Sequence, residues 1–124
     1  MATVAWLSLL YLNYEEPLTR FTQVLRVAGE NIVLYPIRES SDSVSYGEGV
    51  DIRAIVYPAR ADTLIIEPGY IVNDYLTMHF FAPIRHHDKI RRKGVDYEVL
   101  DIQEYDFQGQ TVYRKAVLRR LLGA

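Results

Sequence analysis

Alternating apolar and polar residues predict a series of short β-strands from residue 32 onward. The clearest segment runs from Val50 to Tyr57 and ends at Pro58. Because side chains in a strand alternate between its two faces, the segment predicts a strand with one buried face. The apolar face consists of Ile52, Ala54 and Val56, and the charged residues Asp51 and Arg53 point the other way.

Two other segments continue the β pattern. Ile32 to Ile37 is a short apolar run, and Tyr75 to Ala82 alternates again. Aromatic residues fall on both faces of the second segment, which predicts a strand covered on both sides. Its two faces hold Leu76, Met78 and Phe80, and Tyr75, Thr77, His79 and Phe81.

Turn signals divide the rest of the chain. Glu67-Pro68-Gly69 has the residues of a tight turn, and Gly94 predicts another. Asp88 closes a polar turn, where its carboxylate is expected to bond nearby backbone N–H groups. Phe107 to Gln110 predicts a hairpin turn before a last strand from Thr111 to Arg120.

The strand after Gly94 changes phase along its length. Val95, Tyr97 and Val99 share one face, whereas Leu100 and Ile102 fall in the opposite phase. A β-bulge near Val99 would return the later residues to the core and bend the strand, as closure of a barrel requires.

The N-terminal region favours a helix over a strand. Asn13 and Glu16 have the spacing of a capping box, Pro17 falls in the first turn, and Gly29 supplies a stop. The alternative is a strand from Phe21 to Val27, because Phe, Thr and Val favour strands. The apolar residues at helical spacing are Leu18, Phe21, Leu25 and Ala28.

Together these elements predict a mainly β fold. We expect a small antiparallel β-barrel of about six strands, with a sandwich as the related alternative. A chain of 124 residues fits one domain. We divide it into a helical extension over residues 1–30 and a barrel over residues 31–122.

Composition narrows the classes of function. The 14 basic and 16 acidic residues give a formal net charge of -2, which disfavours a dedicated nucleic-acid binder but allows a local basic patch. Without cysteine, disulfides, thiolate metal sites and a Cys nucleophile are excluded. The apolar run from Val4 to Leu12 is shorter than the ~20 residues of a bilayer span and lacks the features of a signal peptide. We therefore expect a soluble, cytoplasmic chain with no membrane partner.

The roles of the aromatic and ionisable residues allow more than one interpretation. The 10 tyrosines either mark surfaces that meet other proteins or pack half-buried strands. His86 and His87 point to opposite faces of an extended segment, so we expect no metal site there. No nucleophile or phosphate-loop pattern occurs, and we expect no catalytic residues, no cofactor and no enzyme.

Two basic clusters have acidic neighbours, so salt bridges are the default expectation. Charge complementarity with another protein is favoured over contact with nucleic acid. The clusters are Arg85, Lys89, Arg91, Arg92 and Lys93, and Arg114, Lys115, Arg119 and Arg120.

Residues Arg38 to Leu121 resemble the head-closure and head-tail adaptor proteins of long-tailed bacterial viruses. That family usually has glycine just before the Asp of its turn, and here His87 stands in that place. The resemblance does not cover Met1 to Glu30. The matching elements are Val50 to Pro58, Ala82-Pro83-Ile84, Asp88-Lys89-Ile90, Gly94 and Tyr97-Glu98-Val99.

The resemblance implies a structural subunit of the virion neck. Such a subunit forms a ring with copies of itself, docks beneath a portal or adaptor protein after DNA packaging, and presents a platform to a tail protein. The ring retains the packaged double-stranded DNA and later lets it pass. The resemblance implies assembly in the host cytoplasm and a final location in the virion.

Three groups of residues follow as candidates. The polar, flexible connection from Arg38 to Gly49 is expected to project toward the channel or a neighbouring subunit, through Arg38, Ser41, Asp42, Ser43, Tyr46, Gly47, Glu48 and Gly49. Architectural roles fall to Asp88, Ile90, Gly94, Tyr97 and Val99. Candidate interface residues are Tyr75, His79, Phe81, Arg91, Arg92, Tyr105 and Phe107.

Two alternatives remain from the sequence. The first is a tail-completion protein that lies close to the tail terminator. The second is a small barrel that binds single-stranded nucleic acid, in which Tyr75, His79 and Phe81 would stack on bases beside basic residues.

Overall fold

A computed structural model describes residues 19–39 and 43–122, except for the side chain of Thr63. Six strands form a closed antiparallel barrel in the order β1-β4-β5-β8-β7-β6, and β6 pairs with β1 to close it. The mainly β prediction, with a six-strand barrel and a helix near the N-terminus, is confirmed. The strands are β1 (Glu30–Tyr35), β2 (Ile37–Glu39), β3 (Val44–Tyr46), β4 (Val50–Pro58), β5 (Tyr75–Phe80), β6 (Lys89–Arg92), β7 (Val95–Phe107) and β8 (Gln110–Arg120).

The barrel interior is filled by alternate residues of its strands. The apolar face predicted for residues 50–57 points inward, with Ala54 fully buried and Ile52 and Val56 packed against the core. Alternation places the intervening residues on the outer face. The buried core consists of Ile32, Leu34, Ala54, Leu76, Met78, Phe80, Ile84, Ile90, Val99, Ala116 and Leu118.

The β7 strand contains the expected bulge. Val99 pairs with Leu118 and Ile102 with Ala116, so two residues of β7 lie opposite one residue of β8 between these pairs. Val99 is therefore fully buried and Ile102 also packs against the core. The extra residue returns Ile102 to the core, as predicted, whereas Leu100 is half-buried and lines an outer cavity with Ile65 and Tyr75 instead.

Tight turns are formed where glycine allows a positive φ. Gly69, Gly94 and Gly109 have φ values of 90°, 76° and 81°. His87 also adopts a positive φ, 70°, just before Asp88. A glycine would take this conformation without the steric cost that a side chain brings.

Helix α1 covers residues 19–28 of the described chain, so the helix prediction for residues 18–28 is confirmed over that range. It ends at Gly29, where a Cβ atom would run into the carbonyl oxygen of Leu25. The Arg53 guanidinium of β4 donates to the carbonyl oxygens of Leu25 at 2.7 Å and Arg26 at 2.8 Å. The bond to Arg26 satisfies a carbonyl that the helix end leaves open, whereas the Leu25 carbonyl also accepts from the Gly29 amide at 3.0 Å. Asn13, Glu16, Pro17 and Leu18 of the predicted helix start lie outside the described residues.

The described parts of the segment from Arg38 to Gly49, residues 38–39 and 43–49, include strands that were not predicted. Instead of a flexible connection only, it contains β2 and β3, which pair with each other through Ile37 and Tyr46, and through Arg38 and Ser45. Short strands escaped the sequence pattern because three residues are too few to show alternation.

Antiparallel pairing separates the two ends of the barrel. One end, the hairpin end, carries the β2–β3 hairpin, the turn at residues 85–88 and the distal part of β7–β8. At the other end, the connection of residues 59–74 joins β4 to β5 and contains two short 3₁₀ turns, Ala61–Thr63 and Val72–Asp74. The six residues of β5, about 20 Å, separate the two ends.

Candidate functional site

Asp88 ties together three segments of the hairpin end. Its side chain is almost fully buried, and its carboxylate oxygens accept hydrogen bonds from the backbone N–H groups of Ile37 at 2.8 Å and Arg85 at 2.9 Å. Its own carbonyl accepts from the Val99 amide at 2.9 Å. The predicted turn role of Asp88 is confirmed. The long-range bond to Ile37 adds a function that the sequence did not indicate, because it fixes the start of β2 to the barrel.

Lys89 holds the other strand of the hairpin. Its ammonium group lies 4.7 Å from the ring centre of Tyr35 and 4.5 Å from that of Tyr46. A cation between two aromatic faces is attracted by both. Burial, followed by the charges of Glu98 and Asp96, raises the pKa of Tyr46 above its ordinary value. Tyr46 therefore stays neutral and acts as a packing ring that docks β3 on the barrel.

Ion pairs with carboxylates neutralise much of the predicted basic cluster. Arg91 donates to both carboxylate oxygens of Asp96, at 2.8 and 3.3 Å, and Arg92 pairs with Glu30. The hydrogen bond from Arg91 lowers the pKa of Asp96. The expectation of salt bridges is thus confirmed here, and only the outer surface of these arginines is left for a partner.

A groove of about 910 Å³ opens at the hairpin end. We call it the hairpin groove. Its apolar floor is formed by Ile37, Ile84 and Ile102, which come from β2, the segment after β5, and β7. Its rim is charged, with Arg38, Glu39, Arg85 and Glu104, and His86 lies beside them.

The distal half of β7 and the start of β8 extend beyond the barrel wall. After Glu98, β7 pairs in the described chain with β8 alone, and β8 reaches β5 only from Arg114 onward. Arg114 pairs with Glu104 at 3.2 Å, lies over the ring of Phe81 and donates to the Phe81 carbonyl. Phe81 and the predicted interface residues Tyr105 and Phe107 are each more than a third exposed.

A row of aromatic rings crosses the outer face of β4, β5, β8 and β7. The Tyr57 hydroxyl lies 2.7 Å from Nε2 of His79, and the His79 ring lies 5.5 Å from that of Tyr113. Tyr113 stacks on Tyr105 at 4.5 Å and on Phe21 of α1 at 5.1 Å. Helix α1 therefore covers part of this row, and the predicted interface residue His79 lies half-buried within it.

Burial perturbs two members of the aromatic row. It lowers the pKa of His79, and the charge of Lys115 lowers that pKa further. It also raises the pKa of Tyr113, with added contributions from Tyr105 and Tyr57. Both groups are therefore held neutral at ordinary pH, which suits packing rather than charge recognition.

Tyr75 is not available as an interface residue. It is 1% exposed, because the connection of residues 59–74 folds over it. The Tyr70 ring contacts it edge-on at 6.1 Å, and its hydroxyl accepts a hydrogen bond from the Glu67 amide at 3.1 Å. Arg119 fixes this cover by pairing with both Glu67 and Glu98. The prediction that Tyr75 belongs to an exposed interface is corrected by this burial.

The same connection exposes apolar side chains. Ile65 is 90% exposed, Ile71 is 62% exposed and Ile66 is 39% exposed. We call residues 64–71 the isoleucine loop. This outward orientation could not be predicted, because Leu64-Ile65-Ile66 has the composition of a buried strand.

The predicted loop residues differ in how far they are exposed. Arg38, Ser43 and Glu48 are exposed, whereas Tyr46 and Gly47 are partly buried against the barrel. Gly49 leaves no room for a side chain, because an added Cβ would lie 2.8 Å from Cγ1 of Val33. Ser41 and Asp42 lie outside the described residues.

The architectural motif occupies the positions expected of it. Ile90 and Val99 are fully buried, and Tyr97 packs partly buried against the core. Val95, predicted on the same face, is 37% exposed because it begins the strand at the rim. Sequence reasoning missed Tyr35, Tyr57 and Tyr113. The alternation of residues shows on which face of its strand each tyrosine lies, but its contact partners come from distant strands.

The described residues contain no group of three or more His, Cys, Asp or Glu side chains that could hold a metal ion. His87 instead lies with Nδ1 2.7 Å from a carboxylate oxygen of Glu98. No helix within residues 19–39 and 43–122 is long and apolar enough to cross a membrane. The arrangement offers surfaces for docking: a groove, an anchored hairpin and exposed aromatic and isoleucine side chains.

No model of a known protein family matches the sequence, and no curated protein matches it significantly.

Proposed function

We propose that this protein is a structural subunit of the neck of a long-tailed bacterial virus. In this role it forms a head-closure ring between portal and tail, retains packaged DNA and provides the platform to which the tail attaches. Its partners are copies of itself, a portal or adaptor protein on one side and a tail protein on the other, with double-stranded DNA passing through the ring.

The observation that supports the proposal most directly is the arrangement of the strands at the hairpin end. The barrel holds two projections side by side, the β2–β3 hairpin and the distal β7–β8 hairpin. Asp88 and Lys89 anchor the first projection, and both belong to the motif on which the resemblance rests. A rigid barrel that presents an anchored hairpin suits a subunit whose work is docking rather than chemistry.

Charge is consistent with a conduit for DNA. A protein with a formal net charge of -2 has no overall field that would hold a phosphate backbone. Much of the local basic character is neutralised, because Arg91, Arg92 and Arg119 are paired with carboxylates. DNA could therefore slide past such a ring rather than adhere to it.

The first experiment tests ring formation on a portal. The purified protein, alone and mixed with a candidate portal ring, is examined by electron microscopy and mass photometry. We expect a ring of added density beneath the portal. If both samples contain only monomers and bare portals, the proposal is wrong.

A second experiment tests the hairpin itself. Residues 39–44 are replaced by Asn-Gly, which joins Arg38 to Ser45 through a two-residue turn and keeps the anchoring contacts of Asp88 and Lys89. We expect an unchanged melting temperature but loss of DNA retention or of tail joining. The control replaces Lys93 by Asn in the two-residue turn between β6 and β7, at the opposite end of the barrel, and should leave stability, DNA retention and tail joining unchanged. If the hairpin variant gives particles as complete as those of the wild type, the hairpin has no role in the neck.

The nucleic-acid alternative loses its stacking surface. Of its three candidate residues, Tyr75 is buried, His79 is half-buried between other rings, and Phe81 lies beyond the end of β5 beside Arg114. These rings do not form one exposed platform. Salt-sensitive binding of a fluorescent oligonucleotide by the isolated protein would revive this alternative.

A further inference from the structure

An open cleft runs along the outer wall of the barrel beside the isoleucine loop. Two adjoining cavities of about 350 and 200 Å³ form it, and Leu64 and Val117 line both of them. We call it the side cleft. The larger cavity is also lined by Leu100 and by Ile65, which is 90% exposed. Exposed apolar side chains that adjoin one another mark interaction sites.

Helix α1 begins at one end of the side cleft. Phe21, in the first turn of the described helix, stacks on Tyr113 of β8 at 5.1 Å. Lys115 and Val117 follow at alternate positions of β8, so their side chains share this outer face and line the cleft. The helix ends over β4, where Arg53 bonds to carbonyls near its C-terminal end. The chain therefore enters α1 from the side of β8, next to the cleft.

The chain before α1 carries an apolar segment that can reach the cleft. Within residues 1–18, the run from Val4 to Leu12 contains no charged residue. Residues 13–18 join this run to α1, and six residues can span up to about 20 Å. Tyr113 and Val117 lie four positions apart on β8, about 13 Å, so the tether is long enough. Because it is tethered beside the cleft, the run has a high effective concentration there.

The side cleft suits an uncharged run better than the hairpin groove does. Six apolar and three charged residues line the cleft, and one of the charged residues, Glu67, is already paired with Arg119. In the hairpin groove, four charged residues and a histidine surround three isoleucines. An apolar segment would therefore leave more charged groups without water in the groove than in the cleft.

We propose that the apolar run from Val4 to Leu12 docks in the side cleft of its own copy and covers Ile65. Docking removes from water the most exposed large apolar side chain of the described residues. It also leaves the hairpin groove open for a partner. The inference goes beyond the neck proposal and does not depend on it.

The single tryptophan of the chain, Trp6, lies in this run and reports on its surroundings. In the folded full-length protein, we expect its fluorescence emission to be shifted to shorter wavelength than in the urea-unfolded chain, with weaker quenching by acrylamide. Ile65→Asp should weaken docking by at least about tenfold, because an isoleucine contact is lost and a charge would enter an apolar site. The Trp6 emission should then move toward that of the unfolded chain.

The matched control is Ile71→Asp, the same change on the same connection at a residue that is 62% exposed and lies outside the lining of the side cleft. It should leave the Trp6 emission unchanged. Both variants should keep the circular dichroism signal of the barrel, because both side chains are exposed in the described structure. A Trp6 emission equal to that of the unfolded chain, or equal shifts in the two variants, would overturn the inference.

The absence of cysteine allows a test of position. One full-length variant carries Ser8→Cys, at the serine that interrupts the run, and Gln103→Cys on the wall of the side cleft. A second variant carries Ser8→Cys and Glu39→Cys on the rim of the hairpin groove. With a short bis-maleimide cross-linker, we expect the intrachain product to form at least about tenfold faster in the first variant. Equal rates, or a faster reaction at Glu39→Cys, would contradict docking in the side cleft.

A mixture of two differently tagged copies shows whose cleft receives the run. One copy carries only Ser8→Cys and the other only Gln103→Cys. At equal total concentration, we expect less cross-linked product from this mixture than intrachain product from the double variant. The reverse result would assign the cleft to the run of a second copy and overturn the inference. None of these assays contains a portal, so their failure is distinguishable from failure of the neck proposal.

Discussion

Replacing Asp88 by Asn should destabilise the protein well beyond the usual effect of a neutral substitution. Each hydrogen bond from an N–H group to a buried carboxylate contributes about 1.5–3 kcal/mol. In Asp88→Asn, one oxygen still accepts, but an amide NH₂ now faces either the Ile37 or the Arg85 donor and cannot accept from it. We therefore expect a loss of about 2–4 kcal/mol in the free energy of unfolding.

The assay is thermal unfolding followed by circular dichroism. At about 3–4 °C per kcal/mol for a chain of this size, the melting temperature should fall by about 6–16 °C. The matched control is Asp101→Asn, which makes the same chemical change at an exposed carboxylate and should have little effect. Hydrogen exchange adds a local readout, because the Ile37 amide should lose protection. If Asp88→Asn and Asp101→Asn melt together, Asp88 does not hold the hairpin end.

Three other predictions test separate parts of the fold. His87→Gly should be more stable than His87→Ala by about 1 kcal/mol in chemical denaturation, because both remove the contact with Glu98 and only glycine relieves the positive φ; equal stability would show that the turn is not strained. Burial and Lys115 lower the pKa of His79 in the folded protein, so the unfolded state binds a proton at this histidine first as the pH falls below about 6.5. The free energy of unfolding therefore decreases as the pH falls below that value. His79→Gln should therefore lose less melting temperature than the wild type between about pH 7 and about pH 5, and parallel curves would contradict this. Arg53→Met should reduce the helical circular dichroism signal while the β signal persists, since the guanidinium bonds to the end of α1 are lost; an unchanged signal would mean that α1 needs no such cap.

Local patterns in the sequence predicted most of the barrel. The alternation of Ile52, Ala54 and Val56 identified an inward face, and the phase change after Val99 identified the bulge. Glycine at positions 94 and 109 marked the turns that join consecutive strands. These features depend on the conformations that neighbouring residues allow, so they can be read without knowledge of the rest of the fold.

The candidate site was less accessible to such reasoning. Tyr75 has the strand parity of an outward residue, and only the fold of residues 59–74 over it explains its burial. Ile65 has the composition of a core residue, yet it is exposed. In both cases the decisive neighbour is supplied by a connection with no regular pattern, which periodicity cannot place.

The sequence by itself determined the longer strands of the barrel, their turns and the inward faces, because the period of side chains along a strand and the φ preferences of glycine act over a few residues. Only the tertiary structure decided which distant groups meet. Asp88 bonds to Ile37 across 51 positions, and Lys89 lies between Tyr35 and Tyr46. Barrel closure brings these groups together, so the anchored hairpin and the groove beside it arise from the order of the strands.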